Sequence, residues 1–184
     1  MDIEKKFQGL FFQTFYVSKE ESSCPQIADI IGFTKKFKNI NNASISYRYG
    51  KRVLINNSDI KLEKTEKKDF LELVDYNPFK KTLMVMGKHE PNLEAPLHWF
   101  IINYRNEINA VVLIKDNKYL QYFEDKLPSA DKNFPLWSVD KIKEIMKLLS
   151  DNKKIVLKNI GVLYVGKSLK EIKDIISNDI EDFK

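Results

Sequence analysis

The chain has 184 residues, of which 43% are hydrophobic and 31% are charged, a composition that is typical of globular proteins and excludes a disordered or fibrous class. The net charge of +5 comes from interleaved basic and acidic residues, which excludes a polybasic arm. The single cysteine, Cys24, excludes an intramolecular disulfide, and no Cys/His spacing indicates zinc. With no signal-peptide or bilayer-length apolar run, these features predict one cytoplasmic domain over residues 1–184 without a membrane partner.

The first part of the chain, residues 1–39, is predicted to be helical. Residues 3–18 are rich in apolar side chains and are interpreted as a helix. Pro25 suits a first helical turn and starts a second helix through about Lys38. The motif-bearing part then covers residues 40–184. It begins with a cluster of short strands, predicted to be antiparallel and separated by Gly, Asn and Pro. Their sequences are "ASISYR", "KRVLINN", "FLELVDY" and "KTLMVMG".

The second half alternates helices and strands. "NLEAPLHWFIINYRNE" carries apolar residues at helical spacing, with Pro96 in the first turn. "INAVVLIK" is a continuous apolar run, as expected for a buried central strand. Ser138 caps an amphipathic helix, two strands follow, and Ser168 with Glu171 forms a capping box for the last helix. These elements predict an α/β fold with a mixed, largely antiparallel central sheet flanked by helices.

Five local patterns occur in the order and spacing of one known family. They are "ASISYR", "VLINNSD", the single helix–strand unit "GKHEPNLEAPLHWFIINYRNEINAVVLIKD", and the two parts of "IVLKNIGVLYVGKSLKEI". In this order they resemble the class II aldolase/adducin family, from about residue 40 to the C-terminus. The resemblance implies a three-layer fold and a homo-oligomer, commonly a tetramer with the active site between subunits.

The resemblance also implies a divalent metal, usually zinc, held by a His-x-His strand end and a later histidine. Side chains at i and i+2 of a strand lie on one side and can hold one ion. Here these positions carry Leu113, Lys115 and Ile160. Two of these side chains have no lone pair and the third is a cation, so the expected metal site, and with it a zinc cofactor, is absent.

The phosphate-binding positions of the family differ as well. Ser44 stands where the family has Asn, Ser58 and Asp59 follow the second strand, and Asn92 and Leu93 replace a Ser-Ser pair. The carboxylate of Asp59 would repel a phosphate monoester, so these changes argue against a sugar phosphate.

Other positions of the family site are retained. The resemblance places Glu94 at the acid/base position, with His98 one turn later and Ser46 and Arg48 in the preceding turn. Ser44, Ser46, Ser58, Asn92 and His98 are the candidate ligand-binding residues. A histidine on a helix that faces a strand is more often a hydrogen-bonded packing residue, which is the alternative interpretation of His98. The alternative for Glu94 is a carboxylate favoured by the helix dipole.

Three functions follow from these residues. The first is a metal-free, non-catalytic binding or assembly domain, with a small sugar-like ligand and with itself as partner. The alternative is an enzyme, a carbon–carbon lyase of the aldolase type or an epimerase, in which Glu94 is the acid/base and Lys115 supplies a positive charge or forms a Schiff base. The snorkelling of Lys115 to solvent is the structural alternative.

The third function is nucleic acid binding, in which Tyr47 and Tyr49 would stack on bases and Arg48, Lys51 and Arg52 would contact phosphates. It is the least favoured of the three, because basic and acidic residues are interleaved along the chain. A relocated metal site would have only His89, Glu94 and His98 as ligands.

Overall fold

A single sheet with helices on both faces forms the centre of the molecule in the computed structural model, which describes residues 12–37, 40, 42–57, 62–131 and 133–183. Nine strands of this sheet lie within the described residues. They are β1 (Gln13–Ser18), β2 (Ala43–Tyr49), β3 (Arg52–Asn56), β4 (Phe70–Asn77), β5 (Thr82–Met86), β6 (Ala110–Ile114), β7 (Ser129–Ala130), β8 (Lys154–Leu157) and β9 (Gly161–Gly166). The α-helices of the described residues are α1 (Ile27–Thr34), α2 (Ala95–Tyr104), α3 (Asn117–Phe123), α4 (Val139–Leu148) and α5 (Leu169–Phe183).

The sheet is mixed and largely antiparallel, which confirms the predicted fold class. Its strand order is β1-β5-β4-β3-β2-β6-β9-β8-β7. Only β1 with β5 and β7 with β8 pair in parallel. Strand β6 lies between β2 and β9 and is buried along its whole length, because helices cover both faces of the sheet at its centre.

The helices form two outer layers around the sheet. Helices α2 and α4 pack on one face, where Leu97, Ile101 and Ile145 meet strand residues such as Leu113 and Leu163. Helices α1, α3 and α5 pack on the opposite face. Alternate residues of each strand contribute to the two cores, so a side chain that points toward α2 is separated by the sheet from α1 and α5.

The N-terminal part differs from the prediction. The expected helix over residues 3–18 is wrong for Gln13–Ser18, which form strand β1, while residues 3–11 lie outside the described residues. The segment alternates between exposed and half-buried side chains and is rich in β-branched and aromatic residues, which favours a strand once β5 offers an edge. The helix that begins after Pro25 ends at Thr34, so it is shorter than predicted, and Lys38 lies outside the described residues.

The other predicted strands and helices are found where the sequence placed them. Ser138 Oγ accepts a hydrogen bond from Lys141 N, which confirms the predicted cap of α4. At α5, Ser168 Oγ accepts from Glu171 N, whereas the Glu171 carboxylate accepts from Lys167 N instead of closing the box on Ser168. Helix α3 and the two-residue strand β7 were not predicted. None of the helices among the described residues combines the length and the apolar character of a membrane-spanning segment.

Candidate functional site

An ion pair lies at the end of the central strand. Lys115 follows the last residue of β6, and its backbone N–H donates to Asn42 O at 2.8 Å. Glu94 immediately precedes α2 and makes no side-chain cap for that helix. Instead, Lys115 Nζ donates to Glu94 Oε2 at 3.1 Å, and the two side chains are only 12% and 8% exposed. The sequence analysis predicts that Glu94 and Lys115 share one site, and in the structure their side chains are in direct contact.

The ion pair lies on the wall of a cavity of about 290 Å³. The residues that line this cavity are Asn42, Leu93, Glu94, Lys115, Leu136, Trp137, Asn159 and Ile160. Leu113 is fully buried two residues before Lys115, with Cδ1 only 3.2 Å from where a Cβ on Gly161 would lie. Lys115 and Ile160 line the same cavity, and Leu113 belongs to the core against which Ile160 packs.

The residues present at this place do not fit a zinc ion. Leu113 and Ile160 offer no lone pair, and the Lys115 ammonium, itself a cation, makes an ion pair with the Glu94 carboxylate. Across the described ranges, no group of three or more His, Cys, Asp or Glu side chains is arranged to hold a metal ion. His89, Glu94 and His98 therefore do not form the relocated site.

His98 is held between two serines of β2. Ser44 Oγ lies 3.0 Å from Nε2 and Ser46 Oγ lies 2.7 Å from Nδ1, and the ring is fully buried. A neutral imidazole donates one of these bonds and accepts the other. Burial, followed by the charge of Lys115, lowers the pKa of His98 from 6.5 to about 3. This arrangement ties α2 to the sheet, and none of the three side chains lines the cavity.

The lowered pKa of His98 predicts a loss of stability in weak acid. Below pH 6.5 the unfolded chain binds a proton at this residue, whereas the folded chain does so only near pH 3. The free energy of unfolding should therefore fall as the pH falls through this window. We expect His98 to contribute about 2 kcal/mol to the difference between pH 7 and pH 5. This contribution is measured by urea unfolding of the wild type and of His98→Gln at both pH values. An equal pH dependence of the unfolding free energy in the two proteins would contradict the prediction.

Of the predicted phosphate-binding residues, Leu93 lines the cavity together with the ion pair, whereas Asn92 and Ser44 do not line it. Asn92 is buried and donates through Nδ2 to Asn56 O at 3.0 Å. Its Oδ1 has no hydrogen-bond partner in the described part of the chain. Ser58 and Asp59 lie outside the described residues. Their role, like that of Ser44 and Ser46 as ligand contacts, stays a prediction.

The two arginines of the "SYRYGKR" stretch make hydrogen bonds and an ion pair within the fold. Arg48 donates to the carbonyl oxygens of Ile102, Arg105 and Ile108 and so satisfies backbone groups at the C-terminal end of α2. Arg52 Nη1 lies 2.8 Å from the buried carboxylate of Glu72. These contacts leave Lys51 as the exposed cation of the stretch.

Sequence reasoning missed four residues of the cavity wall, namely Asn42, Leu136, Trp137 and Asn159. Trp137 and Asn159 have left-handed backbones, with φ angles of 56° and 62°. Asn tolerates this conformation, but a bulky residue such as Trp rarely adopts it. Trp137 is 6% exposed, and its Nε1 has no hydrogen-bond partner among the described residues. The only signal in the sequence was the turn chemistry before Ser138, which does not reveal a cavity.

Comparisons with known proteins agree with this fold. A family model described as "Class II Aldolase and Adducin N-terminal domain" matches residues 31–118. The structure is similar to an L-fuculose 1-phosphate aldolase, with a TM-score of 0.68 and 14% identity over 89% of this chain and 84% of the other. It is also similar to a sugar-phosphate aldolase from Thermotoga maritima, with a TM-score of 0.64 and 14% identity over 86% and 93% of the two chains.

A third similar structure is the L-fuculose-1-phosphate aldolase from Thermus thermophilus, with a TM-score of 0.63 and 13% identity over 85% of this chain and 90% of that one. No curated protein matches the sequence. The family match and the shared architecture define an aldolase-type α/β domain. Residues 31–118 belong to the class II aldolase and adducin family by this match, and the described chain has the fold of class II aldolases.

Proposed function

We propose that this chain is a metal-independent binding and assembly domain built on the class II aldolase fold. The observation that carries the proposal is the Glu94–Lys115 ion pair, 3.1 Å long, at the place where the resemblance puts the metal ligands. The ammonium supplies the positive charge that a metal would supply, so the carboxylate is compensated without one. The adjoining cavity is the candidate ligand site.

Metal content tests this proposal. Protein purified without chelators and analysed by elemental mass spectrometry should contain no stoichiometric zinc, manganese, iron, cobalt or nickel, because Leu113, Lys115 and Ile160 offer no ligand set. Glu94→Gln and His98→Ala, measured beside the wild type, should show the same metal content. One tightly held ion per chain, lost in either variant, would overturn the proposal.

Assembly is supported by the edge of the sheet. Among the described residues, β1 pairs with β5 alone, and Phe15, Val17 and Met84 are 52%, 53% and 40% exposed on one face. In the part of the chain that the structure describes, the outer edge of β1 has no neighbouring strand. A second copy in antiparallel orientation would pair with this edge and satisfy the backbone groups of both chains at once. The partner we propose is therefore the chain itself.

A charge on this strand should weaken the assembly. We expect Val17→Lys to lower the mass measured by light scattering toward that of one chain, because lysine at an edge strand opposes pairing. Val139→Lys is a matched control, since Val139 is 49% exposed on α4, away from β1. A wild type that is already monomeric, or equal masses for the two variants, would contradict the assembly at β1.

A second candidate is an enzyme with metal-independent chemistry, favoured by the presence of a carboxylate and an amine on one cavity wall. Glu94 would transfer protons, and the Lys115 amine would condense with a substrate carbonyl and release water. Borohydride would reduce the resulting imine to a stable secondary amine. A mass increase on Lys115 that is absent in Lys115→Met would favour the enzyme, and no adduct with small aldehydes or ketones would argue against it.

A further inference from the structure

We propose that the cavity beside Glu94 and Lys115 binds a small zwitterion of the α-amino acid class. This inference rests on the proposed function and names the ligand of the same site. It depends on the charges of the wall, on their spacing, and on Trp137.

The two ions of the wall have unused hydrogen-bonding capacity. Within the described residues, the side chains of Glu94 and Lys115 make one contact, from Nζ to Oε2. An ammonium has three donors and a carboxylate has two oxygens. Two donors of Lys115 and the Oε1 atom of Glu94 are therefore available to a ligand while the ion pair stays intact.

The charges restrict which ligand can use this capacity. A simple anion bound to Lys115 would lie beside the Glu94 carboxylate, and a simple cation bound to Glu94 would lie beside the Lys115 ammonium. Each would gain one attraction and meet one repulsion in a largely buried place, where charges are weakly screened. A zwitterion gives each wall ion a partner of opposite charge, so four charges alternate in sign.

The spacing of the wall charges matches an α-amino acid. In that class a single carbon atom separates the ammonium nitrogen from the carboxylate carbon, so the two ligand charges are close together. The wall charges are also adjacent, at 3.1 Å. A cavity of about 290 Å³ is at the small end of the range of ligand pockets, which suits a molecule of this size.

Trp137 provides the second, independent observation. It lines the cavity, is only 6% exposed, and leaves Nε1 without a hydrogen-bond partner in the described part of the chain. Its left-handed backbone and that of Asn159 border the same cavity, and such strain is concentrated at ligand sites. With Leu93, Leu136 and Ile160, the indole ring forms an apolar wall for the side chain of the ligand.

The test is calorimetric titration of the wild type with each of the protein amino acids and with matched partial ligands. For alanine these are propionate, which lacks the ammonium, ethylamine, which lacks the carboxylate, and hydroxyacetone, which is neutral. We expect at least one amino acid to bind, and its matched acid and amine to bind at least tenfold more weakly. The double variant E94Q/K115M leaves no unpaired buried charge and should fold but lose this binding. Lys88→Met, at an exposed ion pair with Glu21, should retain it.

The outcomes separate this inference from the proposed function. Failure of every amino acid to bind, or equal binding of acid, amine and zwitterion, would overturn the ligand assignment. Binding of hydroxyacetone alone would also overturn it, while leaving a metal-independent binding domain. Stoichiometric zinc in the wild type would instead overturn the proposed function itself.

Discussion

Lys115→Met is expected to lower the free energy of unfolding by about 3 kcal/mol, because it leaves a nearly buried carboxylate without its partner. Glu94 is 8% exposed, and its side chain has no other hydrogen bond or ion pair in the described part of the chain. Glu94→Gln should cost a similar amount by leaving the ammonium uncompensated. Urea unfolding at pH 7.5 measures both changes.

The double variant E94Q/K115M separates the ion pair from packing. Gln and Met have volumes similar to those of the Glu and Lys side chains that they replace, and neither of them carries a charge. We therefore expect the double variant to recover most of the loss of each single variant. The same Lys→Met change at Lys88, whose ion pair with Glu21 is 54% and 43% exposed, should cost less than about 1 kcal/mol. Additive losses in the double variant would show that the two side chains act separately.

The central strand and the site around it could be predicted because their signals are local. "INAVVLIK" is apolar without interruption, since helices cover both faces of β6. Pro96 falls in the first turn of α2, where its missing N–H is harmless. The resemblance places Glu94 at the acid/base position and Lys115 at a metal-ligand position of one site. The two residues are 21 positions apart in the sequence, and the fold brings their side chains into contact.

The errors have a common physical cause, which is dependence on distant parts of the chain. Strand β1 pairs with β5 nearly 70 residues later, as in the register Phe15 with Met84. Apolar residues on both sides of an edge strand resemble a helical pattern when that partner is unknown. Trp137 reaches the cavity only because α4 packs beside α2 and the turn before it adopts a left-handed backbone. Neither the packing nor the φ angle is visible in the local sequence.

Restoring three histidines should restore a zinc site. Leu113 and Lys115 are two residues apart at the end of β6, so their side chains lie on one side of the strand. Lys115 and Ile160 line the same cavity. The variant L113H/K115H/I160H would therefore place three imidazoles around one point and remove the ammonium that opposes a cation. We expect zinc affinity to rise by at least about a thousandfold, to one ion per chain, measured by competition with a chromophoric chelator.

The matched control for this variant is L113Q/K115Q/I160Q, which introduces polar side chains at the same three positions without imidazole nitrogens. Both triple variants should be less stable than the wild type, because Leu113 is fully buried in the core beneath α2. Zinc should raise the midpoint of thermal unfolding only in the histidine variant, since binding to the folded state alone stabilises it. A folded histidine variant without stoichiometric zinc would show that Leu113, Lys115 and Ile160 do not occupy the positions of the metal ligands. Zinc binding would instead mean that these three side chains decide whether this fold holds the ion.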